Sequence, residues 1–201
     1  EPRIMIAGLG NRNITADSLG PKVADKIVVT RHVKNMSDLK IDERLGNVCT
    51  IIPGVMGITG IETGDIIKGT IEAVKPDILF VIDALASRKA SRVNSTIQIS
   101  DTGIIPGSGV GNHRMEISKN TLGIPVVAVG VPTVVDALTL VKDLYNDDNI
   151  NLSENDTIAN MVVTPKNIDI AIDRIAEVVA SGFNLAIHRG FGRHEINEYL
   201  I

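Results

Sequence analysis

Short aliphatic runs alternate along this chain with longer amphipathic stretches, and that alternation is what most narrows the fold. Arg3–Gly8, Val48–Pro53, Ile78–Asp83 and Pro125–Val131 are each a few residues long, rich in Ile and Val, and bounded by turn residues. Runs of that length and makeup read as strands buried on both faces of a mostly parallel sheet. Helices are expected between and after them, at Ser18–Arg31, Thr63–Val74, Thr133–Tyr145 and Pro165–His188. The last is the best patterned: Ile168, Ile172, Ile175 and Val179 recur at three- and four-residue steps, with Pro165 in its first turn. Val93–Ser100 alternates more and reads as a hairpin or edge strand, and Asn160–Thr164 as a short extra strand. The rhythm predicts an α/β fold, a doubly wound three-layer sandwich with a mostly parallel central sheet, formed as one domain over residues 1–201.

Composition removes several functions. Aromatic residues are 2% of the chain and Trp is absent, so stacking platforms for bases are scarce. With a net charge of −4, no global field draws the chain to nucleic acid or anionic lipid, and no direct nucleic-acid partner is expected. No apolar run approaches the ~18 residues of a membrane span, so no membrane partner is expected and the expected compartment is the cytoplasm. Cys49 is the single cysteine, which rules out an intrachain disulfide and a Cys-based zinc site, and it reads as a small buried hydrophobe. Glu1-Pro-Arg3 leads straight into a strand without a Met, so upstream sequence is expected to be missing.

Two aspartates carry the chemistry. Asp17 follows the first aliphatic run, in Gly8-Leu-Gly-Asn11…Asp17-Ser-Leu-Gly-Pro21, and Asp83 closes the third. In an open α/β sheet, ligands collect outside the carboxyl ends of the parallel strands. Two carboxylates brought there can share one proton and activate water near neutral pH. Taken singly, each could instead cap a helix or turn. Gly8-Leu-Gly10 lacks the third glycine of a dinucleotide-binding turn, because the next glycine is Gly20. His32, His113, His188 and His194 are scattered without metal-ligand spacing, and Ser108 does not follow a strand as a nucleophile elbow requires. Ala84–Asn112 is expected to be a functional loop shaping a substrate groove, with Gly103, Gly107, Gly109 and Gly111 giving it freedom to hold two arrangements. Asn146–Asp156 reads as a solvated connection without the Gly and terminal Glu of a calcium loop. Asn11, in the turn after the first strand, and Arg88, five residues past Asp83, are the candidate substrate-binding residues; Arg88 could engage an acidic residue of a peptide.

Six segments strongly resemble the germination protease family of spore-forming bacteria. They are residues 8–21, Ile52-Pro-Gly-Val-Met-Gly57, Val81-Ile-Asp-Ala-Leu-Ala-Ser-Arg88, Ile97-Gln-Ile-Ser-Asp-Thr-Gly103, Pro106-Gly-Ser-Gly-Val-Gly-Asn112 and Gly130-Val-Pro-Thr-Val-Val-Asp136. The resemblance implies an unusual aspartic endopeptidase in which Asp17 and Asp83 are the catalytic pair, with no metal or organic cofactor. It also implies a zymogen that, once processed, degrades small acid-soluble spore proteins in the spore core during germination, and that assembles as a homotetramer. The resemblance further implies an upstream amino-terminal region and pro-segment that are expected to be missing here, and residues 190–201 match nothing expected of the family. The first-strand motif is also similar to that of hydrogenase maturation endopeptidases. Two alternatives stay open: a metal-assisted maturation-type endopeptidase with His113 as a ligand, and a binding or assembly module in which the aspartates are only caps. Which aspartate is acid and which is base is also open.

Overall fold

The computed structural model describes residues 1–36, 41–108, 114–150 and 157–198. β1 (Arg3–Gly8), β2 (Asn47–Ile51), β3 (Ile78–Ser87) and β5 (Val126–Asp136) lie parallel in the order β2-β1-β3-β5. β4 (Gln98–Ser100) adds antiparallel on the outer side of β5, and β6 (Val162–Val163) pairs antiparallel with the last residues of β5. The β–α rhythm therefore produces the expected mostly parallel sheet with helices on both faces.

Side-chain alternation explains why the runs are apolar throughout. Ile6, Ile82, Val129 and Val131 point to one face, where they meet Leu19 and Val23 of α1 (Leu19–Ala24) and Ile172, Ala176 and Val179 of α7 (Ile168–Ile187). Their neighbours Met5, Ala7, Leu79 and Val81 point to the other face and meet Ile67 and Ile71 of α4 (Thr63–Val74). A strand buried on both faces has no polar position to spare. Phe80 and Phe183 meet edge to face at 5.1 Å across the α7 side.

Three expected elements differ from what forms. The helix expected over Ser18–Arg31 ends at Ala24, and a separate turn of helix, α2, runs from Arg31 to Lys34. The intervening backbone is held by α7 instead. Asn184 accepts a hydrogen bond from the Val28 N–H (3.0 Å) and donates to the Lys26 carbonyl (2.8 Å), and His188 Nε2 lies 3.0 Å from the Val28 carbonyl. Gly46 N–H donates to His188 Nδ1 (3.1 Å), so the buried imidazole is neutral with Nε2 protonated, and burial lowers its pKa. Second, β5 runs on to Asp136 where a helix was expected from Thr133; α6 begins only at Ala137 and ends at Tyr145. Thr133, Val134 and Val135 are β-branched and prefer a pleated surface. Third, β3 does not close at Asp83 but continues to Ser87, with a bulge after Leu85, so the first four residues of the expected loop are strand. β6 falls within Asn160–Thr164, and β4 confirms an edge strand at the end of Val93–Ser100. Of the connection Asn146–Asp156, residues 151–156 lie outside the described residues.

Candidate active site

Gly8 is the last residue of β1 and pairs with Ile82 of β3. The Leu9 N–H still reaches the Ile82 carbonyl, at 2.8 Å, and there the chain turns away. A Cβ on Gly20 would lie 2.2 Å from the Leu9 carbonyl oxygen and 2.5 Å from that of Ile82. Glycine at position 20 thus lets the first turn of α1 press against the ends of two strands. The segment between, residues 10–17, is folded back so tightly that a Cβ on Gly10 (φ +109°) would sit 2.0 Å from the Asp17 carbonyl oxygen. Gly10 and Gly20, which do not form a dinucleotide-binding turn, serve this close packing.

The fold-back delivers Asp17, on a single 3-10 turn (Thr15–Asp17), to the point where β1 runs out. Asp83 sits one residue beyond the last β1 pairing, opposite Gly130 of β5. Both line one cleft of about 340 Å³. Its walls come from Gly54, Val55 and Met56 after β2, from Ala84–Ala86 of the extended β3, and from Ile105–Ser108. A larger apolar groove of about 790 Å³ between α7 and the β4 edge holds neither aspartate.

The two carboxyl groups differ in setting. Asp83 is 5% exposed, and Oδ1 accepts the Ala84 N–H at 2.9 Å. Burial, and after it the charge of Asp17, push its pKa from 3.8 up to about 8. Asp17 is half-buried, and Oδ2 accepts the Asn11 N–H at 2.7 Å. Burial raises its pKa, and the Asn11 hydrogen bond opposes that rise. Such a pair holds a proton at neutral pH where ordinary aspartates hold none.

The structure brings Asp17 and Asp83 together and leaves both candidate substrate-binding side chains elsewhere. Asn11 contributes its backbone to Asp17, while its side-chain oxygen accepts the Asn13 N–H at 3.0 Å. Arg88 is exposed and absent from the cleft lining, because β3 carries the chain away for four residues beyond Asp83 at ~3.3 Å each. Among the described residues, the cation lining the cleft is Arg114, beside the glycine-rich segment. Periodicity gave no signal for it; its only mark was following that segment. Gly103 and Gly107 adopt positive φ (+90° and +70°), whereas Gly109, Gly111 and His113 lie outside the described residues. Among the described residues, no three His, Cys, Asp or Glu side chains gather as a metal site would require. Cys49 is half-buried and burial raises its pKa. No helix of the described residues is long and apolar enough to cross a membrane.

The family model described as germination protease matches residues 1–147. A germination protease of Clostridium acetobutylicum is 47% identical over 225 aligned positions, which cover 98% of this chain and 69% of that protein. The chain belongs to the germination protease family. A more distant germination protease, from Halalkalibacterium halodurans, is 39% identical and covers 97% of this chain and 68% of its own length. Membership makes the chain a peptidase of spore germination. Among solved structures, the hydrogenase maturation protease HycI of Thermococcus kodakarensis aligns with a TM-score of 0.43 at 20% identity, covering 89% of this chain and 90% of that one. HybD of E. coli aligns at 0.42 and 15%, covering 92% and 93%. Likenesses this loose say nothing about how a germination protease cuts its substrate.

Proposed function

We propose that this germination protease is an aspartic endopeptidase in which Asp17 and Asp83 share one proton and activate the attacking water. The observation that carries this reading is the environment of Asp83: buried, lining one cleft with Asp17, with a pKa near 8. At neutral pH the pair carries one proton, and it resides preferentially on Asp83, the more deeply buried partner. Asp17, held by the Asn11 N–H, is the ionised member and takes a proton from water. The neutral Asp83 carboxyl donates to the scissile carbonyl oxygen. As water adds, its proton passes to Asp17, and from there to the leaving amine. The apolar walls, Val55, Met56, Ile105 and Val134 among them, exclude bulk water and strengthen each of these interactions.

The same proposal takes small acid-soluble spore proteins as the substrate, the spore core as the compartment, and a zymogen and homotetramer as the forms in which the enzyme is held. Family membership supports these. Purified protein incubated with a small acid-soluble spore protein should release fragments detectable by mass spectrometry, and the Asp83→Asn variant should release them about a thousand-fold more slowly. Cleavage by Asp83→Asn at the rate of the parent protein would sink the paired-aspartate reading.

A further inference from the structure

β3 keeps an open edge inside the cleft. Its pairing with β1 stops at Ile82, whose carbonyl still accepts the Leu9 N–H at 2.8 Å. Its pairing with β5 continues, from Asp83 opposite Gly130 to Ser87 opposite Val135. Backbone groups alternate between the two edges of a strand. The Ile82 carbonyl points to the β1 side, so Ala84 and Ala86 turn their backbone groups to the side that β1 has vacated. The Ala84 N–H is taken by Asp83 Oδ1, at 2.9 Å. Among the described residues, no strand pairs with that side beyond Ile82, and no hydrogen bond from outside the sheet reaches the Ala84 carbonyl or the Ala86 backbone.

Native proteins blunt such edges with charge or Pro, or cover them. This one carries neither charge nor Pro: Ala84, Leu85 and Ala86 line the cleft beside Asp83, and β5 holds them stiff from behind. β2 and β3 lie two strand spacings apart, about 9.5 Å, with β1 between them. Beyond Leu9 the chain leaves that middle place, and Leu9, Gly10, Gly54 and Ala84 all line the cleft there. The wall past β2 offers no ladder of its own. Gly54 has φ +74°, and its carbonyl accepts the Thr63 hydroxyl at 3.2 Å. What is left is a slot one extended chain wide, with hydrogen-bonding groups on the β3 side.

We infer that the substrate peptide binds as an added strand on the Ala84–Ala86 edge, taking the place in the sheet that β1 leaves at Leu9. This rests on the cleft being where the peptide is cleaved. The Ala84 and Ala86 carbonyls each accept a peptide N–H, two residues apart, and the Ala86 N–H donates to a peptide carbonyl. Pairing of this kind reads backbone rather than side chains. The substrate class is therefore an extended segment without Pro at the pairing positions; a helical segment has its N–H groups engaged already and must unwind first. The pairing also holds the scissile bond beside Asp83, the residue just before this edge.

The test uses acetylated, amidated peptides carrying one backbone N-methyl group at each position in turn, each as a competitor of the cleavage of one reporter peptide by the parent protein. Methylation at two positions, two residues apart, should each weaken competition roughly ten- to a hundred-fold, the cost of a lost hydrogen bond with its partner left unpaired. Methylation at the position between them, whose N–H points away from β3, should leave competition nearly unchanged. Ala86→Pro removes the free N–H of the edge and spares the β5 ladder, so it should raise KM about ten-fold, more than it lowers kcat. A loss at one position only, at consecutive positions or at none, or an unchanged KM in Ala86→Pro, would overturn the assignment. Should Ala86→Pro fail to fold, the peptide series on the parent protein decides alone. Calorimetry of the same series on Asp83→Asn separates the two readings. An inactive variant should bind with the same alternation, and its absence there would end the added strand while leaving the aspartates. An active Asp83→Asn would end the aspartate mechanism and leave the alternation as the measure of the edge.

Discussion

Asp77, just before β3, and Asp83, within it, stand at opposite edges of the sheet and have opposite chemistry. Asp77 immediately precedes β3 at the amino edge, where it is 45% exposed and accepts three hydrogen bonds from Arg3, from the backbone N–H and from the guanidinium. Those bonds hold its pKa down to about 2. Asp83, at the carboxyl edge, has one backbone N–H, a wall of apolar side chains and the charge of a second carboxylate, and its pKa rises to about 8. Sequence separation between them is trivial; the difference is what the fold places around each. At the amino edge the strands start in solvent and an acid finds a surface partner. At the carboxyl edge β3 and β5 run on beyond β1, and their extra length builds the cleft in which an acid is held neutral. The larger apolar groove between α7 and the β4 edge contains no such pair. Volume alone does not locate chemistry; opposed carboxyl environments do.

The largest effect expected from this contrast is kinetic. Asp17→Asn should lower kcat/KM by about as much as Asp83→Asn, ~10³-fold, and the double variant should fall little further, because a shared proton is lost once either partner is. Asp77→Asn, at the other edge, should remain within a few-fold of the parent protein. Single-variant losses that multiply in the double variant would break the comparison, since they would describe two carboxyls acting independently.

A smaller effect concerns how the carboxyl edge is held together. Gly20→Ala would place a methyl against the Leu9 and Ile82 carbonyls, both backbone and neither free to move far. Overpacking of this kind costs on the order of 1–3 kcal/mol, to be read from urea unfolding. The same shift would move the turn that carries Asp17, so activity should fall with stability. An unchanged unfolding midpoint would show that α1 can retreat from the sheet without cost, and that the two edges are equally tolerant.

Much of this was legible before the fold. The four aliphatic runs became the four parallel strands, and Thr63–Val74 is α4 to the residue. What escaped lay where tertiary contacts override local preference. The helix from Ser18 stops early because Asn184 and His188, more than 150 residues away, take the backbone groups of Lys26 and Val28. β3 outran its expected end because an aspartate looks like a strand terminator, whereas here it pairs opposite Gly130 and is buried as a neutral acid. That extension also removed Arg88 from the cleft. Arg114 could not be found from spacing, since only the Ile104–Ile117 closure brings it to the site.

The two aspartates should also bend the pH dependence of stability in opposite directions. Asp77 has a folded-state pKa depressed to about 2 from 3.8, so its stabilising contribution is present above pH 3.8 and is lost as pH falls through 2. Asp83 has a folded-state pKa raised to about 8, so below pH 3.8 it is protonated in both states and costs nothing. Between pH 3.8 and 8 the unfolded chain ionises it while the native protein keeps the proton, and native stability declines until the folded pKa is passed. Thermal melts of the parent protein, Asp77→Asn and Asp83→Asn across this range separate the two. The Tm of Asp83→Asn relative to the parent should climb from pH 4 to pH 8, by several °C for a chain of this size. Asp77→Asn should melt slightly below the parent at neutral pH, with the gap closing only toward pH 2. Parallel melting curves for Asp83→Asn and the parent would mean that Asp83 ionises as an ordinary surface acid, and the carboxyl edge would then be no different from the amino one.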